Sequence, residues 1–315
     1  MARILITGAH GFIGRHLARA FAAAGNEVVG LGHGIWPEPE ARACGVSHWI
    51  NGDITPTNLQ LLDERAGAPD HVVHLAGGSS VGLAIANPRE DFFRTVATTA
   101  ELLEWMRLAA PEARVLVASS AAVYGAGHDG PIPESAQVTP CSPYGYHKRV
   151  MEELCASYAE TYGLRVVVVR LFSVFGPGLK KQLLWDACSR LHAGAETLAL
   201  GGTGDELRDW TDARDVARAL SLLLETDCPP GAIFNVGTGV GTPVHRIAEM
   251  LTTAWAGDAV APAVEFSGRS RPGDPFSLVA DPRLLAGLCF HFDVELEHGI
   301  ADYVRWFRKD VAWGR

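Results

Sequence analysis

Short, solid apolar runs alternate with stretches of helical period along most of the chain. The runs at Ile4-Leu5-Ile6, Glu27 to Leu31, Ser47 to Ile50, Asp70 to Gly78, Arg114 to Ala118 and Arg165 to Phe172 read as strands. Several are apolar without a polar alternate, the pattern of a strand buried on both faces. Between them, Phe12 to Ala24, about Pro88 to Ala109, and Pro143 to about Tyr162 carry the spacing of helices. In the second of these, Phe92, Val96, Leu103 and Met106 are predicted to share one apolar face. Strands and helices in alternation imply an α/β fold with a right-handed, doubly wound parallel sheet, whose ligands lie along the carboxyl ends of the strands. Gly8, Asp53, Ala76, Ser120 and Phe172 all fall at such ends.

The first strand breaks at Gly8 and a helix follows at once, with Gly8, Gly11 and Gly14 at each third position across the turn. Without Cβ atoms the backbone turns sharply, approaches a pyrophosphate and brings the helix against the sheet, while free N–H groups at the helix start face the anion. This is the glycine turn of a dinucleotide-binding (Rossmann) domain. The second strand ends at Gly32-His33-Gly34, without the acidic residue that accepts from both ribose hydroxyls and repels a 2′-phosphate. With that repulsion gone, and with His33 or Arg42 placed to meet a phosphate, the expected cofactor is NAD(P), with NADP favoured over NAD. Asp53, just past the third strand, is placed to accept from the adenine amino group. The small residues that end the fourth strand, Ala76 and Gly77, leave the cofactor room to pass.

Candidate chemistry is concentrated in Tyr144-Gly145-Tyr146-His147-Lys148 and in Ser119-Ser120 after the fifth strand. On a helix beginning at Pro143, Tyr144 and Lys148 are one turn apart and share a face. A phenol titrates near pH ~10 in water. An ammonium beside it favours phenolate, so Tyr144 is expected to exchange a proton with a sugar or alcohol hydroxyl near neutrality. Ser120 is placed to hold the same oxygen.

Composition bounds these readings. The chain has 315 residues, 48% hydrophobic and 20% charged, enough for a buried core and two lobes. A net charge of -9 with no Lys/Arg run argues against a nucleic-acid surface. Cys44, Cys141, Cys155, Cys188, Cys228 and Cys289 are scattered, with no C-x-x-C pair and no His at metal-ligand spacing. Reduced, mostly buried thiols in a cytoplasmic protein, and no metal site, are expected. No signal peptide is recognisable, and no apolar stretch approaches ~18 residues, so no membrane span is expected. Asp209, Asp212 and Asp215 read as caps and salt bridges rather than a metal cluster, with Asp215 as a helix N-cap.

Together these residues resemble a known family, the extended short-chain dehydrogenase/reductases that act on nucleotide sugars, also described as NAD-dependent epimerase/dehydratase. The resemblance covers essentially the whole chain. It rests on Gly8/Gly11/Gly14, Asp53, His74-Leu75-Ala76, Ser119 to Gly125, Ser142-Pro143-Tyr144 with Lys148, Arg170-Leu171-Phe172, Gly176-Pro177-Gly178, Arg208-Asp209-Trp210, Asn235-Val236-Gly237 and Arg271-Pro272-Gly273-Asp274, in that order. It implies that Tyr144 is the catalytic acid/base, that Lys148 tunes it and holds the nicotinamide ribose, and that Ser120 binds the reacting oxygen. Phe12, Ile13, Ile54, Leu75 and Phe172 complete the implied cofactor site. The implied organisation is a dinucleotide-binding domain over 1–175 and 213–238 with a smaller C-terminal α/β lobe over 176–212 and 239–315. That lobe would bind a nucleotide diphosphate sugar, a uridine diphosphate sugar by default. Arg208 and Arg271 are the implied diphosphate partners, because a guanidinium offers bidentate donors and stays charged. Ser79, Ala121, Ser173, Lys181 and Trp185 join Ser120 in the implied substrate site. A homodimer through the helices near 88–109 and 143–162 is implied as well.

Departures from the family pattern narrow the reaction. Members that eliminate water from the sugar carry an Asp-Glu pair directly after the catalytic Ser/Thr. Ala121 and Ala122 stand there, which disfavours 4,6-dehydration. Ser79 stands where many 4-epimerases have Lys, and Thr95 and Ser173 where many members have Asn. The expected activity is epimerisation at C4 through a 4-keto intermediate. The alternative is NADPH-dependent reduction of a nucleotide 4-keto-6-deoxy sugar, since Ser120, Tyr144 and Lys148 serve both.

Overall fold

The computed structural model describes residues 1–269 and 275–313. The chain forms two compact units, one of residues 1–125, 134–171 and 216–236, the other of 126–133, 172–215 and 237–315. Nothing in the hydrophobic pattern marks the short piece 126–133. It joins the second unit because Ile132 N–H donates to the Val279 carbonyl (2.8 Å) and Ile132 pairs with Ala280.

The first unit is built on a seven-stranded parallel sheet: β1 (Arg3–Thr7), β2 (Glu27–Gly32), β3 (Val46–Asn51), β4 (His71–His74), β5 (Arg114–Ser120), β6 (Arg165–Leu171) and β7 (Ala232–Val236). The spatial order is β7-β6-β5-β4-β1-β2-β3. The order reverses at β1, which lies between β4 and β2, and this is the crevice where an open α/β sheet takes its ligand. Thr7 and His74 are register partners there, so the turn after β1 and the turn after β4 leave the sheet side by side. Leu5, Val29, Val72, Val115, Val117, Val166 and Val168 from the strands pack with Leu59, Leu62, Leu102, Leu103, Met106, Met151 and Cys155 from the helices in one buried core.

Helix α1 (Phe12–Ala23) follows the glycine turn directly. The long helix expected over 88–109 is instead α2 (Pro88–Phe92), a π-helical turn over Phe93–Ala97, and α3 (Thr98–Ala109). A π turn inserts one residue into the α period and rotates what precedes it by roughly 100°. Val96, Leu103 and Met106 are therefore buried while Phe92 is 40% exposed, off the face predicted for it. Helix α4 (Pro143–Tyr162) has the expected bounds.

In the second unit, Leu207–Asp212 pairs in parallel with Ser173–Phe175 and Ser277–Leu278 and antiparallel with Gly241–Pro243. Thr197–Leu200 and Ala263–Phe266 form a separate parallel pair. Asp209, Asp212 and Asp215 are each engaged by hydrogen bonds within this unit. Asp209 accepts from the N–H groups of Thr238, Gly239 and Ala280 and from the Thr238 hydroxyl. Asp212 accepts from Arg214 N–H (2.8 Å), and so caps the helix Ala213–Glu225. Asp215 lies inside the first turn of that helix and accepts from Asp293 and Val294 N–H, so it is not the N-cap. Among the described residues no group of His, Cys, Asp and Glu is arranged to hold a metal, and no helix is long and apolar enough to cross a membrane. None of the six cysteines is in a disulfide; Cys44, Cys155 and Cys188 are buried, but Cys141 and Cys289, which stand outside helices and strands, are exposed.

Candidate active site

Ser142 starts α4, its Oγ accepting from Gly145 N–H (3.2 Å), with Pro143 at the first helical position. Gly163 ends the helix in the left-handed conformation, φ 71°. Tyr144 and Lys148 thus stand on the first two turns. A Cβ on Gly145 would lie 2.5 Å from the Ala122 carbonyl oxygen, so glycine is what lets the first turn rest against the 3-10 turn Ala121–Val123. That turn follows Ser120, whose Oγ accepts from Ala122 N–H (3.2 Å) and lies near enough to the Tyr144 hydroxyl to favour its ionised form. Lys148 is 4% exposed and its Nζ donates to the Ala118 carbonyl (2.8 Å). Ser120, Tyr144 and Lys148 are thereby gathered at the carboxyl end of β5.

The electrostatics differ from expectation. Burial pushes the Tyr144 phenol up to about 12; the nearby Ser120 hydroxyl works against the rise and the Asp91 charge adds to it. Burial also pushes Lys148 down to about 8, against Asp91, Glu152 and Cys155, which raise it. The phenol is therefore raised, not lowered as expected, in the protein alone: loss of solvation is the largest effect on it, and the charge that bears on it is that of Asp91. Behind the site, burial and the Lys148 charge take His74 down to about 3, and the neutral ring bridges the hydroxyls of Thr7 (2.7 Å) and Thr99 (3.0 Å).

Two buried groups of side chains escaped the sequence reading. Glu152, one turn beyond Lys148, accepts from Ser119 Oγ (2.5 Å) and from the Arg170 guanidinium (2.7 and 3.1 Å). Arg170 also donates to the Tyr124 hydroxyl (3.0 Å), which donates to Asn235 Oδ1 (2.7 Å). Ser119 is held on one side of β5, so strand alternation turns Ser120 to the other, toward Tyr144. The second group is Asp91 with His147, 2.6 Å apart. The i, i+4 spacing from Lys148 to Glu152 was a legible signal; the pairing of Asp91 with His147 had none.

The glycine turn fits a dinucleotide. Gly8 has φ +75°, and a Cβ there would lie 3.1 Å from Ala76 N; one at Gly14 would lie 2.3 Å from Gly8 O. No side chain caps α1 and no acidic residue stands in its first turn, so the N–H groups around Phe12, Ile13 and Gly14 are left for an anion. Leu75, Ala76 and Gly77 are half-buried beside this turn, and a Cβ on Gly77 would lie 3.5 Å from Lys148 Nζ. Ile54 is buried. His33 Nε2 lies 2.8 Å from Asp53 Oδ1, and Arg42 pairs with Glu38 (2.8 Å). Each side chain that the sequence offered to a 2′-phosphate therefore has a carboxylate partner.

The remaining candidates divide between the units. In the first, Ser79 is exposed ahead of the helix Val81–Ala86 and Ala121 is buried. In the second, Phe172 is buried, Ser173 opens a strand, and Lys181 precedes the helix Gln182–His192, its amine lowered by burial. Trp185 packs edge-on to Phe307 (4.9 Å) and beside Trp306 (6.2 Å), and Arg208 donates to the carbonyls of Leu207 (2.8 Å) and Phe276 (3.3 Å). Arg271 to Asp274 lie outside the described residues.

The NAD dependent epimerase/dehydratase family matches residues 4–237, and the chain belongs to that family. A UDP-glucose 4-epimerase of Azospirillum brasilense is 33% identical over 88% of this chain and 83% of its own. The structure of a UDP-N-acetylglucosamine 4-epimerase from Methanobrevibacter ruminantium M1, in complex with UDP-N-acetylmuramic acid, superposes with a TM-score of 0.87 at 26% identity, over 98% of this chain and 99% of that one. A UDP-glucuronic acid 4-epimerase from Bacillus cereus, in complex with UDP-glucuronic acid and NAD, gives 0.85 at 27% identity over the same shares.

Proposed function

We propose that this enzyme is a nucleotide-sugar 4-epimerase that works with NAD. The observation that carries the reading is that Ser120, Tyr144 and Lys148 are gathered at the carboxyl end of β5, with β4 between them and the strand that leads into the glycine turn. Bound NAD supplies an acceptor for the C4 hydride and the means of returning it. The Tyr144 oxygen takes the proton of the sugar 4-hydroxyl as the C4–H bond is lost, and gives it back to the 4-keto oxygen when that bond is remade on the opposite face. Ser120 holds the reacting oxygen during both transfers. Lys148 supplies positive charge beside the phenol and a donor for ribose hydroxyls.

The cofactor preference expected from Gly32 is revised. With Asp53 beside His33 and Glu38 beside Arg42, a 2′-phosphate would meet two carboxylates, which favours NAD. The reductase alternative drew its support from NADPH and loses it. The methyl groups of Ala121 and Ala122 offer no acid or base for dehydration. Uridine diphosphate sugars are the proposed substrates, in line with the names of the relatives.

The test is incubation with UDP-glucose, UDP-N-acetylglucosamine and UDP-glucuronic acid without added reductant, scoring appearance of the C4 epimer. Tyr144→Phe should lower turnover by at least ~100-fold and keep NAD binding. Unchanged turnover in that variant, or product formed only with stoichiometric NADPH consumption, overturns the reading.

A further inference from the structure

Two ionisable side chains beside the site take no part in the reaction above. Asp91 is the fourth residue of α2, and His147 stands on α4 between Tyr144 and Lys148. Asp91 is 6% exposed. One of its carboxylate oxygens lies 2.6 Å from His147 Nδ1. The other occupies the space above Gly78, where a Cβ would come within 1.8 Å of it. Gly78 is not among the glycines with positive φ, so its backbone would accept any residue, and the carboxylate is what fills the space. Gly78 N–H donates to Thr95 Oγ1 (2.9 Å), which ties this loop to the π turn. The Phe92 ring closes over His147 edge-on at 5.6 Å. A buried carboxylate with one imidazole partner, given its room by a glycine, is a costly arrangement for a helix surface to maintain without use.

We propose that Asp91, pinned by His147 and accommodated by Gly78 next to the glycine that faces the Lys148 amine, is a positioning residue that holds a fixed negative charge beside Tyr144 and Lys148 and so favours the protonated form of both. This rests on Tyr144 as the acid/base of the proposed function. The groups facing Tyr144 are Ser120 from β5 and Asp91 from α2. Those facing Lys148 are Asp91, Glu152 and Cys155, the Ala118 carbonyl, and His74 from β4, whose ring feels the ammonium. Glu152 is already held by Arg170 and Ser119, whereas the Asp91 charge bears on both members of the catalytic pair. Its sign is the same on each: it favours the ammonium on Lys148 and the protonated phenol on Tyr144.

The test reads the Lys148 titration in two ways. One is labelling of Lys148 by a small amine-selective reagent across pH, followed by peptide mass spectrometry, which requires no turnover. The other is the alkaline limb of kcat/KM. Asp91→Asn should move both midpoints to lower pH by roughly one unit, about a tenfold gain in neutral amine at fixed pH. Gly78→Ala changes no charge but displaces the carboxylate, and should move both in the same direction. His147→Gln keeps a donor to Asp91 and should leave the labelling midpoint in place, while His147→Ala should lower it. If Asp91→Asn does not fold, Gly78→Ala and the two His147 variants carry the comparison. Midpoints that stay at the wild-type value in Asp91→Asn or, failing that, in Gly78→Ala overturn the proposal. A shift in labelling combined with full activity of Tyr144→Phe would instead sink the acid/base reading and leave the charge effect standing.

Discussion

Lys148 is where burial and two carboxylates pull one amine in opposite directions, and burial prevails, to about 8. The direction fixes two pH effects. An amine whose folded value is depressed from 10.5 opposes folding below that range, so its penalty grows as pH falls from about 10.5 to about 8 and is constant below. For catalysis the charge is present below about 8 and lost above it. The kcat/KM of the enzyme should therefore fall on the alkaline side with a midpoint near 8, measured with a saturating cofactor; a profile that stays level through that pH would contradict the assignment. Spacing pointed to Tyr144 and Lys148 on one helix face and a strand end pointed to Ser120, because periodicity reports which side chains share a face; their roles came from the family resemblance. Spacing did not report how far each face is desolvated, and so it mistook the sign of the Tyr144 shift. The same gap explains His33, which looked free for a phosphate because nothing in the strand pattern shows that the turn after β3 brings Asp53 to it.

Helix α4 shows how much an element's ends decide. Ser142-Pro143 and Gly163 mark its start and stop with ordinary capping chemistry, and its bounds were legible for that reason. The π turn between α2 and α3 was not, because one inserted residue leaves a normal helical spacing on either side. Gly145 tests the element directly. By propensity, Gly145→Ala should gain ~1 kcal/mol within a helix. Against this, the new methyl would lie 2.5 Å from the Ala122 carbonyl, and backbone cannot yield as a side chain does. Overpacking of that kind costs ~1–3 kcal/mol, so the variant should be destabilised in denaturant titration and should lose turnover as Tyr144 moves off Ser120. The buried bridge across β5, α4 and β6 makes a larger prediction. Glu152→Ala leaves the Arg170 guanidinium, 3% exposed, without its carboxylate, and should cost ~3–5 kcal/mol. A loss below ~1 kcal/mol would mean that Tyr124 and the Glu134 carbonyl satisfy Arg170 unaided.

At the scale of the whole molecule, a chain of net charge -9 still leaves large apolar side chains uncovered on one part of its first unit. Leu83, Ile85 and Phe93 are 66%, 61% and 51% exposed, and Tyr146 on α4 is 53% exposed. The helix Val81–Ala86 and the π turn each pack on α4, so these residues belong to neighbouring helices rather than to separate loops. Clustered exposure of this kind marks a contact surface, where scattered exposure would not. We expect a second copy of the chain to cover it, since a two-fold interface sets the same patch against itself and needs no complementary partner. The wild-type protein should sediment as a dimer at micromolar concentration. Phe93→Glu with Tyr146→Glu would bring two like-charged pairs into the contact and should yield a monomer that NAD still stabilises, by ~2.7 kcal/mol at a hundred times its Kd. A wild-type monomer at high concentration, or a double variant that remains dimeric, places the interface elsewhere or removes it. Loss of NAD stabilisation in the double variant would show instead that these helices serve the fold before they serve association.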